Sequence, residues 1–286
     1  TANIALLSRL GAKERGSDTR FPIVLRTGNG ANTILDRVIA GEYKMCDSEI
    51  VKRKNKFYLM LAYQYECEHE KGLDRDSIMG VDIGVVNPAY MAFNKDKYAR
   101  YAIEGGEIDS FRRKVEARRK SMLKQSKYCG RGRRGRGRKT LMKPTEKLRD
   151  KVENFRRTTN HKYSKYIVDM AVKHGCGTIQ LEDLTGVNER SKFLKNWSYY
   201  ELQSFIEYKA KERGIKVVKI NPKYTSQRCH ECGHIDKSSR PTQETFKCTS
   251  CGNECHADFN AAKNIATPNI ERIIEETLKR EKELAS

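Results

Sequence analysis

Ile78-Met-Gly-Val-Asp-Ile-Gly-Val-Val86 is a nearly continuous apolar run broken by a single acid. Such a run reads as a strand buried on both faces at the centre of a sheet. The acid, Asp82, is costly to bury unless it is paired or bound to a metal. Gly80 and Gly84 flank it and leave backbone room for a phosphate or another strand. Asn87-Pro88 then turns the chain into a second strand over 89–93, and 100–103 reads as a third. Residues 107–125 and 146–174 are helical in pattern, the latter stopped at Gly175. Residues 178–182, Thr-Ile-Gln-Leu-Glu, form another buried strand, 198–213 a helix ended by Gly214, and 215–220 a fifth strand. Three strands, a helical stretch, a strand, a helix and a strand make the α/β order of a ribonuclease-H-like mixed sheet.

The flanking regions read differently. Residues 1–76 are β-rich, with extended runs at 21–26, 49–52 and 56–66, the last entered through a turn at Lys54-Asn55. Between them Ile34, Leu35, Val38 and Ile39 share one helical stripe, and no catalytic residue stands out. The opening TANIALLSRL lacks Met and reads as a strand entered midway, so a fragment or processed product is expected. At the other end, 269–285 alternates Glu with Lys/Arg around Ile270, Ile273, Ile274 and Leu278, an amphipathic structural helix.

The chain has 286 residues, 57 Lys+Arg against 37 Asp+Glu, and a formal charge of +20. Its length excludes a disulfide miniprotein. The lack of any run of about 18 apolar residues excludes an integral helical membrane protein. No charged-then-apolar leader opens the sequence, so the expectation is a cytoplasmic chain with no membrane partner. A polyanion is the first partner to consider. The charge is local, since residues 111–143 hold 15 basic residues and one acid. Within them, residues 127–139 carry seven basic residues and four Gly. Arg131, Arg133, Arg134, Arg136 and Arg138 are candidate phosphate contacts there, against the plainer reading of a solvated loop.

Nine cysteines include five between 229 and 255. An odd count without a signal peptide points to a reducing compartment, where clustered thiols bind metal. Cys229-x2-Cys232 and, after 15 residues, Cys248-x2-Cys251 have the spacing of a closed, structural Zn²⁺ site. His230, His234, Cys255 and His256 sit close by but are not needed, because four thiolates saturate the ion. Stripping the metal should unfold the segment.

Glu182 repeats the pattern of Asp82 at the end of its own strand, and adjacent strand ends in an open sheet bind ligands. Asp258, in His256-Ala-Asp-Phe-Asn-Ala-Ala-Lys-Asn-Ile265, is the third acid, with a helix N-cap as the plain alternative. Three carboxylates on separate elements suit two Mg²⁺ ions about 4 Å apart, which activate water and stabilise a leaving oxygen in phosphodiester hydrolysis. No activated Ser or Cys nucleophile and no phosphate-cradling Gly-Lys-Ser/Thr loop is evident. An actin-like kinase would need further Gly-rich loops and would leave the thiols unexplained.

Gly-Val-Asp82-Ile-Gly, Gln-Leu-Glu182-Asp-Leu, Tyr224-Thr-Ser-Gln-Arg-Cys229-His-Glu-Cys232-Gly, and Cys248-Thr-Ser-Cys251-Gly leading to Ala-Asp258-Phe-Asn-Ala-Ala together resemble a known family. It is the split RuvC nuclease with interposed zinc ribbon of TnpB proteins and miniature type V-F CRISPR effectors. The likeness runs from about 77 to 268. Gly105-Gly-Glu-Ile, Thr158-Thr-Asn-His and Asn196-Trp-Ser-Tyr-Tyr incline it toward the CRISPR branch. The resemblance implies an RNA-guided DNA endonuclease with Asp82, Glu182 and Asp258 as the Mg²⁺-holding triad. It implies a partial, oligonucleotide-barrel-like wedge over 1–76 that grips the guide scaffold. The nuclease domain would occupy 77–223 and 255–286, with the ribbon, a target nucleic-acid-binding domain, over 224–254. Guide RNA and double- and single-stranded target DNA are the implied partners, with a homodimer on one guide RNA possible, and Arg228 is an implied phosphate contact. The alternatives are a transposon-encoded guided nuclease and a noncatalytic zinc-ribbon binder. The family's N-terminal recognition region has no counterpart in these residues.

Overall fold

The computed structural model describes residues 2–5, 9–24, 26–53, 56–67, 69–84, 86–127, 138–184 and 199–285. The chain divides into two compact units, Thr1–Cys67 and Glu68–Ser286. In the first, β1 (Ala2–Ala5), α1 (Arg9–Arg15), β2 (Arg20–Ile23), α2 (Asn29–Ile39), β3 (Lys44–Met45), β4 (Glu49–Arg53), β5 (Lys56–Met60) and β6 (Tyr63–Gln64) follow one another. The strands pair as three antiparallel ladders, β1 with β2, β3 with β6 and β4 with β5. The run expected as one strand over 56–66 is therefore two, and Tyr63–Gln64 pairs back to β3 instead of extending β5. The proposed turn at Lys54-Asn55 lies outside the described residues.

The second unit is built on β7 (Asp74–Asp82), β8 (Ala89–Phe93) and β9 (Arg100–Ile103), then α3 (Gly106–Lys127), α4 (Arg138–Lys173), β10 (Cys176–Glu182), α5 (Tyr199–Glu212) and β11 (Lys216–Ile220). These strands form one five-stranded sheet in the order β11-β10-β7-β8-β9. β7 pairs antiparallel with β8 and parallel with β10, and β10 runs parallel to β11. This is the mixed sheet that the order of elements predicted. β7 begins earlier than the apolar run and ends on its acid, with Asp74, Arg75 and Asp76 exposed and burial setting in at Ser77. Apolarity thus marks where the strand enters the core, not where its pairing starts.

β12 (Thr245–Lys247) and β13 (Glu254–His256) pair antiparallel, and α6 (Ala257–Ile265) and α7 (Ile270–Ala285) close the chain. Alternation along each strand sorts the two faces of the sheet. Met79 and Val81 of β7, Met91 and Phe93 of β8, and Ile179 and Leu181 of β10 pack against Ile167 and Val168 of α4 and Leu202 and Ile206 of α5. Each such side chain contributes roughly 1.5–3 kcal/mol by leaving water. On the opposite face Tyr90 and Ala92 pack on Phe259 and Ala262 of α6. Gly80 and Asp82 fall on this α6 face.

Gly80 is where α6 touches the sheet. A Cβ there would lie 2.2 Å from the Ala262 carbonyl oxygen and 2.3 Å from the Ala266 nitrogen. The room that Gly80 leaves is thus filled by a helix backbone, not by a phosphate or a strand. Gly84 serves its own turn, donating to the Asn87 carbonyl at 3.1 Å. Among the described residues no helix is long and apolar enough to cross a membrane.

Candidate functional site

β7 and β10 lie side by side in the register Val81↔Leu181, and each ends one residue later on an acid. Asp82 and Glu182 therefore stand at the same edge of the sheet. Asp258 is the second residue of α6, which crosses the same face over Gly80. Its backbone nitrogen donates to His256 Nδ1 at 3.2 Å, so the helix is capped by His256 and the Asp258 carboxylate is left for other work. Asn87 Nδ2 donates to that carboxylate at 2.9 Å, and the Arg240 guanidinium lies 3.7 Å from its second oxygen. Asp82, Asn87, Arg240, Glu244, His256 and Asp258 line a cleft of about 260 Å³.

The acids strain one another. Burial pushes the Asp82 carboxyl well above its ordinary range, the charges of Glu182 and Asp258 push it further, and only Arg240 opposes them. Burial also raises Glu182, against the Thr225 hydroxyl, which donates to it at 2.6 Å, and against Arg240. Gln203 Nε2, itself buried, donates to the Glu182 carbonyl at 2.7 Å and holds the strand end. Among the described residues no hydrogen bond or ion pair reaches the Asp82 carboxylate. An enclosed acid with acid neighbours and no donor is relieved either by a proton or by a cation, and hard carboxylate oxygens fit Mg²⁺.

The shifts have a consequence for stability. Asp82 and Glu182 bind protons more readily folded than unfolded, so they favour the metal-free fold at low pH and this contribution is lost as pH rises through their raised values. Asp82→Asn is expected to raise the melting temperature of metal-free protein at pH 7, by about 2–4 °C for each kcal/mol of relieved charge. It should also flatten the decline of stability as pH rises through the raised Asp82 value. An unchanged pH slope in thermal unfolding would count against an enclosed Asp82.

The cysteines converge as their spacing predicts. Ligand atoms of Cys229, Cys232, Cys248 and Cys251 all lie within 4.8 Å of one another, with Cys229 and Cys251 sulfurs 3.7 Å apart and those of Cys232 and Cys248 3.6 Å apart. Tetrahedral Zn²⁺ with bonds of about 2.3 Å sets its sulfurs about 3.8 Å apart, so the cluster fits the ion. Each knuckle closes through a glycine in the left-handed region, Gly233 (φ 81°) and Gly252 (φ 73°), donating to the Cys229 and Cys248 carbonyls at 2.9 and 3.1 Å. His230, His234, Cys255 and His256 stay out of the cluster.

Arg228 is placed otherwise than as an open phosphate contact. Its guanidinium is drawn inward and donates to Asn264 Oδ1 at 2.7 Å. Asn260 and Asn264, one turn apart on α6, both donate to the Arg228 carbonyl, at 2.8 and 2.6 Å, and Asn260 Oδ1 accepts from the His230 nitrogen at 3.0 Å. Two amides thus fasten the first knuckle to the helix that carries Asp258. Asparagines four apart on a helix otherwise rich in alanine are the signal that could have revealed them. Arg240 had no such signal, being one arginine between the knuckles. Of the basic segment, Arg131, Arg133, Arg134 and Arg136 lie outside the described residues. Arg138 opens α4.

A family model described as Cas12f1-like, TNB domain, matches residues 199–265. A CRISPR-associated endodeoxyribonuclease Cas12f1 of Sulfoacidibacillus thermotolerans is 53% identical over 281 residues, 97% of this chain and 66% of that protein. A TnpB-like protein of Methanocaldococcus jannaschii is 32% identical over 207 residues, 66% of this chain and 68% of that one. Among solved structures, a Cas12f1–sgRNA–target DNA complex determined by cryo-EM superposes with a TM-score of 0.56 at 29% identity, covering 77% of this chain and 56% of that chain. The chain therefore spans 66% or less of the Cas12f1 proteins it matches here.

Proposed function

The chain belongs to the family of Cas12f1 and TnpB-like proteins, and from that premise we propose that it carries the nuclease of an RNA-guided DNA endonuclease. The observation that carries this reading is that Asp82 and Asp258 line one cleft while Glu182, from a third element, lies close enough for its charge to act on Asp82, which among the described residues has no donor. Asp82, Glu182 and Asp258 would hold two Mg²⁺ ions. Three carboxylates from separate elements suit a pair of ions about 4 Å apart. When bound, the ions supply an activated water and stabilise charge on the leaving oxygen of a phosphodiester.

The residues of this chain do the positioning. Thr225 and Gln203 fix Glu182, and Asn87 fixes Asp258 from one side. Arg240 offers a positive charge at the cleft wall where the phosphate of an entering strand would lie, lowering the repulsion that three acids impose on DNA. Tyr199 donates to the Gly84 carbonyl at 3.2 Å and pins the turn beyond Asp82. The four cysteines would hold structural Zn²⁺, forming a ribbon that is fastened to α6 through Asn260 and Asn264.

Guide RNA and target DNA, double-stranded and then single-stranded, are the proposed partners, named in the solved relative as sgRNA and target DNA. Base pairing would read the sequence while the protein reads backbone shape. Residues 1–76 would act as a partial wedge on the guide scaffold, 77–223 and 255–286 as the nuclease, and 224–254 as the ribbon. A second copy on the same guide completes the assembly, working in the prokaryotic cytoplasm against foreign DNA.

Loaded with guide RNA, the chain should cut matched DNA in Mg²⁺ and stop when EDTA is added. Binding of matched DNA without scission in Mg²⁺ or Mn²⁺ would leave the noncatalytic ribbon binder in its place.

A further inference from the structure

We propose that Asp236 and Thr249 form a latch that holds Arg240 in the acid cleft, making the second Cys-x-x-Cys knuckle the positioning element of that arginine. The inference rests on the cleft being the nuclease site proposed above, and it assigns the ribbon a part in the chemistry.

Arg240 follows a 3₁₀ turn at Lys237–Ser239. It belongs to a stretch without ladder partners between Ile235, bridged to Arg228, and the start of β12 at Thr245. Such a stretch needs other restraints to aim a long side chain. Downstream, the Arg240 guanidinium donates to the Gln243 carbonyl at 3.0 Å, and the Thr245 nitrogen donates to the Thr242 hydroxyl at 2.9 Å.

Upstream, the restraint is Asp236. Its Oδ1 accepts from the Ser238 nitrogen at 2.8 Å and the Ser238 hydroxyl at 2.6 Å, and its Oδ2 accepts from the Thr249 hydroxyl at 2.7 Å. These donors draw the Asp236 carboxyl down to about 2, so it stays an ionised acceptor throughout the working pH range. Ser239, fully buried beside Arg240, takes the Thr249 nitrogen on its hydroxyl at 3.3 Å. Thr249 follows Cys248 directly. The segment bearing the arginine of the cleft is thereby tied at two points to the residue next to a zinc ligand. An acid that only capped the turn would need the Ser238 bonds alone; the Thr249 bond adds nothing to a cap and everything to a tether.

The test uses the 286-residue chain with Mn²⁺ as probe, titrated by electron paramagnetic resonance, alongside zinc content and guided cleavage. Thr249→Val should keep its zinc and bind Mn²⁺ at the acids about five-fold more tightly, because Arg240 no longer competes for their charge. It should cut about ten-fold more slowly. Thr249→Ser should restore both values, and in an Arg240→Ala background Thr249→Val should add nothing. The latch is overturned if Thr249→Val matches wild type in Mn²⁺ binding and rate, if its effects add to those of Arg240→Ala, or if it loses zinc. Should Asp82→Ala leave the Mn²⁺ titration unchanged, the acids bind no metal and the nuclease reading falls with the latch. A latch failure alone shows as a normal wild-type titration that Thr249→Val reproduces.

Discussion

Asp82→Ala is expected to lower metal-dependent cleavage by the guide-loaded chain by about 10³-fold or more, without loss of fold. Asp82 is the acid whose burial and acid neighbours raise it most clearly, and among the described residues no neutral group donates to its oxygens. Removing it takes away a cation ligand that Glu182 and Asp258 cannot replace, since Thr225 draws one and Arg240 and Asn87 engage the other. It also removes a charge that the metal-free protein is better without. Loss of activity should therefore come with a melting temperature no lower than wild type, and guide RNA should bind as before. Cleavage within ten-fold of wild type would refute the placement of the metal.

Gly80→Ala should have the largest structural effect of any single methyl group. The new Cβ would stand 2.2 Å from the Ala262 oxygen and 2.3 Å from the Ala266 nitrogen. Both are backbone atoms of a packed helix and its end, so neither can turn aside. α6 must lift from the sheet, breaking the packing of Phe259 and Ala262 on Tyr90 and Ala92 and withdrawing Asp258 from its partners. A destabilisation of at least about 3 kcal/mol is expected, with cleavage lost to match. Gly106→Ala is the control. Gly106 opens α3 with nothing within 4 Å of an added Cβ. That change should be neutral or stabilise by up to about 1 kcal/mol. Equal stability of the two variants in denaturant unfolding would mean that α6 does not sit on Gly80.

The acid inside an apolar strand was legible because burial and charge conflict within one short run, a conflict visible in residue types alone. The thiols were legible because their ligand geometry is written into a two-residue spacing repeated at two places. Arg240 was not. Its place at Asp258 depends on a path through a 3₁₀ turn and on side-chain bonds from Asp236 to Thr249, 13 residues apart, which leave no periodic trace. Arg228 was misdirected for a related reason. Adjacency to a cysteine gives the side chain no direction, and the direction comes from Asn264 on a later helix. Gly80 signalled a close approach correctly, but sequence does not say what approaches. The strand expected over 56–66 broke in two because alternation carries no record of which partner each half chooses.

Asp82 and Glu182 are set by strands of the central sheet, whereas Asp258 rides on a helix 76 residues beyond Glu182, seated in the groove that Gly80 leaves open. During synthesis, then, the ribosome releases two acids long before the third. A nascent chain folds its sheet with the groove still bare and has no complete cleft. If the cleft is the proposed nuclease site, it is complete only when the helix after the ribbon has emerged and docked.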